Sequence, residues 1–159
     1  MQLEELVQLI ETRADDLAEM MVRKMRESPR MSAYHRFGDE ELAERARLVY
    51  ANLEKWLEES SEGLVEEEYY RLGQRRCQER IPLSQVIWAL LLIRRNLWQF
   101  VESQGWEDVS DLQRNLDLEI LVVRFIDRAI LHATRGYEAV AGGPVSQAHS
   151  DEVSFWPGG

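Results

Sequence analysis

The chain has 159 residues, of which 45% are apolar and 30% are charged, and its net charge is −10. This length fits one domain, and so much apolar content excludes a disordered chain. The negative charge argues against nucleic acid as a partner, because a nucleic-acid site needs a concentrated positive surface.

The single cysteine and the lack of signal-peptide and membrane-span patterns favour a reducing compartment. The single cysteine, Cys77, allows no internal disulfide. The acidic N-terminus lacks the basic segment and apolar core of a signal peptide. The longest apolar run, residues 86–93, is less than half of the roughly 20 residues that a bilayer span needs. We therefore expect a cytoplasmic protein without a membrane segment.

The spacing of apolar residues predicts five helices and no strand. The first covers residues 2–27 and ends before Pro29, because proline does not fit a helix interior. The second covers residues 39–60. The third covers residues 65–79 and is mostly charged.

The charges of the third helix allow two interpretations. Arg71, Arg75, Arg76 and Arg80 are offset by the acidic residues Glu66, Glu67, Glu68 and Glu79, and Glu67 lies four residues before Arg71. Such spacing is typical of a solvated helix face with salt bridges, which is the interpretation we prefer. The alternative is a binding site for an anion.

The fourth and fifth helices are more apolar. The fourth covers residues 82–103 and starts at Pro82, whose fixed φ suits a first helical turn. Because apolar residues cover about half of its circumference, it is expected to be central in a bundle or shared with a second subunit. The fifth covers residues 111–139. Its predicted core face consists of Leu112, Leu116, Ile120, Val123, Ile126, Ile130, Ala133 and Tyr137.

These elements predict an all-α fold in the form of a five-helix bundle. The bundle is expected to occupy residues 1–140 as a sensor or regulatory domain. The remainder, residues 141–159, is rich in glycine and aperiodic, which is typical of a flexible linker or tail.

An arginine interrupts the apolar face of the fourth helix. Arg94 lies near the middle of that face, whereas Arg95 points towards solvent. A buried guanidinium needs an acceptor, and the fifth helix offers Glu119 and Asp127. If the two helices are antiparallel, Arg94 and Glu119 lie about equally far from the turn that joins them. We therefore predict an Arg94–Glu119 ion pair in the bundle interior.

The role of this arginine has two interpretations. A structural ion pair that fixes the register of the helices is the first. The second is a small-molecule sensor, in which Arg94 holds an acidic ligand in a pocket with Trp98 and Tyr137.

Several apolar residues lie outside the predicted core faces. On the fourth and fifth helices these are Trp88, Leu92, Leu121 and Phe125. They are candidates for a homodimer face. The alternative is that they pack against the first helix.

Catalytic and metal-binding motifs are not evident in the sequence. His35, His132 and His149 stand apart from one another, and the chain has no glycine-rich phosphate loop. Haem ligation is not expected from an isolated histidine on a polar helix face. We therefore expect no catalytic residues, no metal and no cofactor, and we interpret Cys77 as chemically quiet.

Four short motifs resemble a known family. They are Leu72, Gly73 and Arg76; Ile81, Pro82 and Leu83; Leu92, Arg94 and Arg95; and Gly136 and Tyr137. Together they resemble the RsbRD-type N-terminal domain of RsbT co-antagonist proteins of the bacterial stressosome. The resemblance extends over residues 3–140.

The resemblance implies a non-enzymatic, helical input domain in stress signalling, acting through protein partners. It also implies a dimer, and a globin-like arrangement without haem. We expect no output module within this sequence, and therefore either a part of a larger regulator or a protein that acts through a separate partner.

Overall fold

The computed structural model of the chain describes the backbone of residues 1–153 and the side chains of residues 1–142. Within these residues the fold is all-α, as predicted, and contains no strand. This part of the chain forms seven α-helices: α1 Leu3–Thr12, α2 Ala14–Glu27, α3 Asp39–Tyr50, α4 Leu53–Leu57, α5 Glu62–Gln78, α6 Leu83–Ser103 and α7 Val109–Val153. Two 3-10 helices, Pro29–Arg36 and Glu59–Ser61, lie between them.

The predicted count of five helices is wrong, because two predicted helices are broken. The first breaks at Arg13 (φ −96°, ψ 17°), although its apolar spacing continues through the break and therefore gave no signal. The second breaks at Asn52 (φ −119°, ψ 27°), whose side-chain amide donates to the carbonyl of Leu48 at 2.9 Å. Asparagine often competes with helical hydrogen bonding in this way.

One apolar core joins all seven α-helices. A buried polar group lies within it at α6. The Asn96 amide donates to the Leu17 carbonyl at 3.0 Å and to the Tyr50 hydroxyl at 3.1 Å. Its oxygen accepts from Lys24 at 2.6 Å. Because each polar atom has a partner, the core holds Asn96 without an unsatisfied group.

Helices α5 and α7 cross in very close contact at two glycines. A methyl group at Gly73 would overlap the backbone carbonyl of Ala133, and one at Gly136 would overlap the carbonyl of Tyr70. Only residues without a side chain permit this approach of two helix backbones. Both glycines belong to the motifs that carry the family resemblance.

The face that α7 turns towards the core differs from the predicted one. Leu112, Leu116 and Ile120 are exposed by 39%, 45% and 60%. The buried residues are Asn115, Leu118, Val122, Phe125, Ile126, Ala129 and Ala133. Ile126 and Ala133 of the predicted face are buried, and Ile130 and Tyr137 pack against the core. The prediction was wrong for the first turns, because α7 carries two apolar faces there and the core uses the face around Leu118.

The predicted tail begins within α7, which continues to Val153. Its side chains from residue 143 onwards lie outside the described residues. The division into a domain of residues 1–140 and a tail therefore stays a prediction. In the part of the chain that the structure describes, no helix has the length and apolarity to cross a bilayer.

Candidate functional site

The arginine singled out in the sequence lines a small cavity. The cavity has a volume of about 290 Å³ and lies between α6 and α7, where Arg94 and Glu119 both contribute to its wall. The rest of the lining consists of Trp88, Leu91, Leu92, Arg95 and Trp98. The side chains that the sequence linked, Arg94 and Glu119, are thus brought together, but the salt bridges of the described residues do not include this pair. A stabilising Arg94–Glu119 pair stays a prediction.

The titration of Glu119 shows how the charges of this cavity balance. Burial raises the pKa of Glu119, the charge of Arg94 lowers it, and Glu102 raises it again. The net direction is upward, so the attraction of Arg94 does not make up for the lost hydration. An unpaired donor lies in the same wall, since the indole Nε1 of Trp88 is buried without an acceptor among the described residues.

Tyr137, the third residue of the predicted pocket, lies elsewhere. Its hydroxyl donates to the backbone carbonyl of Ile81 at 2.6 Å, which ties α7 to the start of α6. It is absent from the lining of the cavity that contains Arg94. The structure thus brings Arg94, Trp98 and Glu119 together but leaves Tyr137 apart.

The four candidates for a dimer face have unequal exposure. Leu92 and Phe125 are exposed by only 6% and 3%, so a partner could reach neither without a rearrangement of the chain. Phe125 stacks on Trp56, with the ring centroids 5.6 Å apart. Trp88 and Leu121 are half-buried, and Trp88 lies under the guanidinium of Arg30, 5.0 Å from the ring centroid.

A second and larger cavity lies where the sequence gave no prediction. It has a volume of about 700 Å³ and lies between α2, α3, α5 and α6. Most of its wall is apolar and includes Met21, Met25, Leu72, Val86 and Leu90. Volume and lining are both typical of small-molecule sites in proteins.

Charged side chains stand at one part of this wall. Glu79 accepts from Arg45 Nη2 at 2.8 Å through Oε2 and from Arg76 Nη1 at 2.7 Å through Oε1. Arg45 Nη2 also donates to Glu41 at 2.9 Å. Burial alone would raise the pKa of Glu79, but the hydrogen bonds and charges of Arg45 and Arg76 outweigh burial and lower it. Glu79 is therefore held as a carboxylate.

A tight turn at the end of α5 positions Glu79. Arg80 has a left-handed backbone (φ 60°), and the amide of Ile81 donates back to the Arg76 carbonyl at 3.0 Å. The amide of Arg80 donates to the Cys77 carbonyl at 2.9 Å. This is the hydrogen-bond pattern of a helix that ends in a left-handed residue. The turn fixes Glu79 beside Arg45 and Arg76. The left-handed conformation of Arg80 is sterically unfavourable for arginine, whereas glycine adopts it readily.

The charged face of α5 is only partly the solvated face that was predicted. Arg71 and Glu67 form the expected exposed pair at 2.7 Å. Arg76, by contrast, is exposed by only 7% and lines the large cavity. Spacing along one helix could not distinguish these two arginines, because Arg76 and Glu79 have the i,i+3 spacing of an ordinary solvated pair. The other partner of Glu79, Arg45, lies on α3. The alternative interpretation of these charges, a binding site for an anion, stays a prediction.

A comparison with known protein families matches residues 15–149 to the RsbT co-antagonist protein RsbRD N-terminal domain. The chain belongs to this family. Residues of the RsbRD-type motifs meet at one corner of the fold: Gly73 and Gly136 at the helix crossing, and Ile81 and Tyr137 in the hydrogen bond between α6 and α7. Arg76 of the same motifs holds Glu79.

Comparisons with curated proteins and with solved structures give no match for this RsbRD-type domain. Among the side chains that the structure describes, no cluster of three or more histidine, cysteine or acidic residues is placed to hold a metal ion. His35 Nε2 donates to the Met25 carbonyl, and His132 Nδ1 accepts from Arg135. His149 lies outside the described residues.

Proposed function

We propose that this domain is a non-enzymatic input module of a bacterial stress-signalling pathway, acting through protein–protein contact as a homodimer. Membership of the RsbT co-antagonist family supports the signalling role. A cytoplasmic location, a globin-like arrangement without haem, and a domain of residues 1–140 followed by a tail belong to the same proposal.

The exposed apolar stripe of α7 is the observation that carries the dimer. We define it as Val109, Leu112, Leu116 and Ile120, which recur at three- and four-residue spacing on the side opposite Leu118. Val109 and Ile120 are exposed by 79% and 60%. A continuous apolar stripe on a surface helix favours an interface, and a second copy can pair the same stripe with itself about a two-fold axis.

Charge placed in the stripe tests the proposal. The double substitution L116E/I120E is expected to convert the dimer into a monomer, because two carboxylates per chain would be desolvated at the interface. Sedimentation velocity of the purified domain measures the change. Leu48→Glu is the matched control, since Leu48 is an exposed leucine on α3, away from the stripe.

The sedimentation experiment has three outcomes that decide whether the domain is a dimer and whether the stripe is its interface. A wild-type dimer that is lost in L116E/I120E and kept in L48E supports the interface. A wild-type monomer at all concentrations overturns the dimer, while a dimer that survives L116E/I120E overturns the choice of stripe.

A small-molecule sensor at Arg94 is the second candidate function. The buried, unpaired indole of Trp88 and the guanidinium of Arg94 share the small cavity, which favours a ligand that offers an acceptor. A native mass spectrum of the purified domain would reveal such a ligand as added mass. Loss of that mass in Arg94→Ala is the expected result; a wild-type spectrum without added mass contradicts this candidate.

A further inference from the structure

We infer that the large cavity between α2, α3, α5 and α6 binds an anionic amphiphile, a molecule with one carboxylate head and an apolar chain. This inference concerns a different site from both candidates above. It requires neither a dimer nor a ligand at Arg94.

The apolar part of the wall is suited to the chain of such a ligand. Met21 and Met25 of α2 face the cavity together with Leu72 of α5 and Leu90 of α6. Methionine side chains adapt to irregular apolar shapes. Burial of apolar ligand surface against them is favourable in proportion to the area removed from water.

The charges of the wall favour an anion. Four cationic side chains line the cavity, namely Arg45, Lys55, Arg75 and Arg76. Only two carboxylates, those of Glu68 and Glu79, line it with them. This local excess of positive charge stands out on a chain whose net charge is −10. A cleft lined by one sign of charge attracts ligands of the opposite sign.

A buried nitrogen of Arg45 without a hydrogen-bond partner indicates where the carboxylate head of the ligand would bind. Arg45 Nη2 is shared between Glu41 and Glu79, but Nη1 is buried with no acceptor among the described residues. A buried donor without an acceptor is unfavourable, and a charged guanidinium donates strong hydrogen bonds to a carboxylate. The guanidinium of Arg45 also packs over the ring of Phe37, and the distance from the guanidinium carbon to the ring centroid is 4.3 Å. The head is therefore expected at Arg45, beside Arg76.

Decanoate, below its micellar concentration, is the probe for this site. Its binding is measured by isothermal titration calorimetry and by tryptophan fluorescence, to which Trp56 in the cavity wall contributes. Decanol, which has the same chain without the charge, tests whether the head is recognised. We expect decanoate to bind with at least about tenfold higher affinity than decanol, because a charge-assisted hydrogen bond distinguishes the two heads.

Three variants locate the binding. Arg45→Gln should weaken decanoate by about tenfold or more. Leu48→Glu should also weaken it, by repulsion; Leu48 lines the cavity and is exposed, so this variant keeps the fold. Arg94→Gln is the control in the small cavity and should leave the affinity unchanged.

The results either support or overturn the inference. Tight decanoate binding that is weakened by R45Q and L48E but not by R94Q supports it. Absence of decanoate binding overturns it, as do equal affinities for decanoate and decanol. Binding that withstands both R45Q and L48E, or that is lost in R94Q, places the ligand elsewhere and also overturns it.

Discussion

The large and the small cavity described above each contain arginine and glutamate, yet the pKa of the glutamate is shifted in opposite directions. In the large cavity Glu79 lies 2.8 Å from Arg45 and 2.7 Å from Arg76, and its pKa is lowered. In the small cavity the charge of Arg94 acts on Glu119 without a salt bridge among the described residues, and the pKa of Glu119 is raised.

Direct hydrogen bonds, more than nearness of opposite charge, therefore decide whether a half-buried carboxylate stays ionised. Both glutamates lose hydration, which raises the pKa in each case. Only Glu79 receives donors that restore the lost interactions. In the large cavity the ionised form of Glu79 is therefore favoured. In the small cavity the protonated form of Glu119 is favoured relative to that of an exposed glutamate.

The largest effect is expected from Glu79→Gln. The amide cannot serve both guanidinium groups as the carboxylate does, so the free energy of unfolding should fall by about 1–3 kcal/mol at pH 7. The folded-state pKa of Glu79 is lowered, so its stabilising contribution is present above the unfolded-state pKa and is lost as the pH falls through the folded-state value. Urea unfolding at pH 7 and at successively lower pH measures the difference between variant and wild type.

That difference should narrow as the pH falls below 4.5, the ordinary value for this side chain. Glu67→Gln serves as control, since Glu67 forms an exposed pair with Arg71 on the same helix. It should change stability by less than about 1 kcal/mol. A Glu79→Gln protein as stable as wild type at pH 7 would show that the two arginines do not depend on this carboxylate.

A smaller effect is expected from a double-mutant cycle on Arg94 and Glu119. The sequence predicts that they form a pair, and the structure places them in one cavity without a salt bridge. We expect Arg94→Gln and Glu119→Gln to show a coupling free energy of about 0.5–1 kcal/mol, stabilising in sign. Thermal or urea unfolding of the four proteins measures it, with Arg95→Gln and Glu119→Gln as the control cycle. Equal coupling in both cycles would remove any special role for Arg94.

The sequence predicted the helices better than the site. The all-α class, the apolar character of α6 and the family follow from periodicity and short motifs, because a helix repeats its face every three to four residues. The breaks at Arg13 and Asn52 do not interrupt that periodicity and were missed. The core face of α7 was also misassigned, since Leu116 and Leu118 are equally apolar and only tertiary packing chooses between them.

The large cavity could not be predicted for a similar reason. Its arginines, Arg45 and Arg76, are separated by 31 positions and each has an acidic residue nearby in sequence. Each therefore resembles a residue of a solvated helix face. What makes them a site is the turn that carries Glu79 back between them, and this turn depends on a left-handed arginine that no simple sequence rule predicts.

The smallest effect, and the sharpest contrast with Glu79, is expected from Glu119→Gln alone. Burial raises the pKa of Glu119 in spite of Arg94, so its ionised form costs stability in the folded protein at neutral pH. Removing the charge should therefore raise the free energy of unfolding at pH 7, by less than about 1 kcal/mol for a side chain that is only half-buried.

A group with a raised folded-state pKa contributes stability below its unfolded-state pKa and loses it as the pH rises through the folded-state value. The advantage of Glu119→Gln should accordingly disappear below pH 4.5, the ordinary value for glutamate. Urea unfolding across the same pH range measures this. A variant less stable than wild type at pH 7 would mean that Arg94 binds the Glu119 carboxylate more strongly than the geometry indicates, and the two cavities would then hold their carboxylates in the same way.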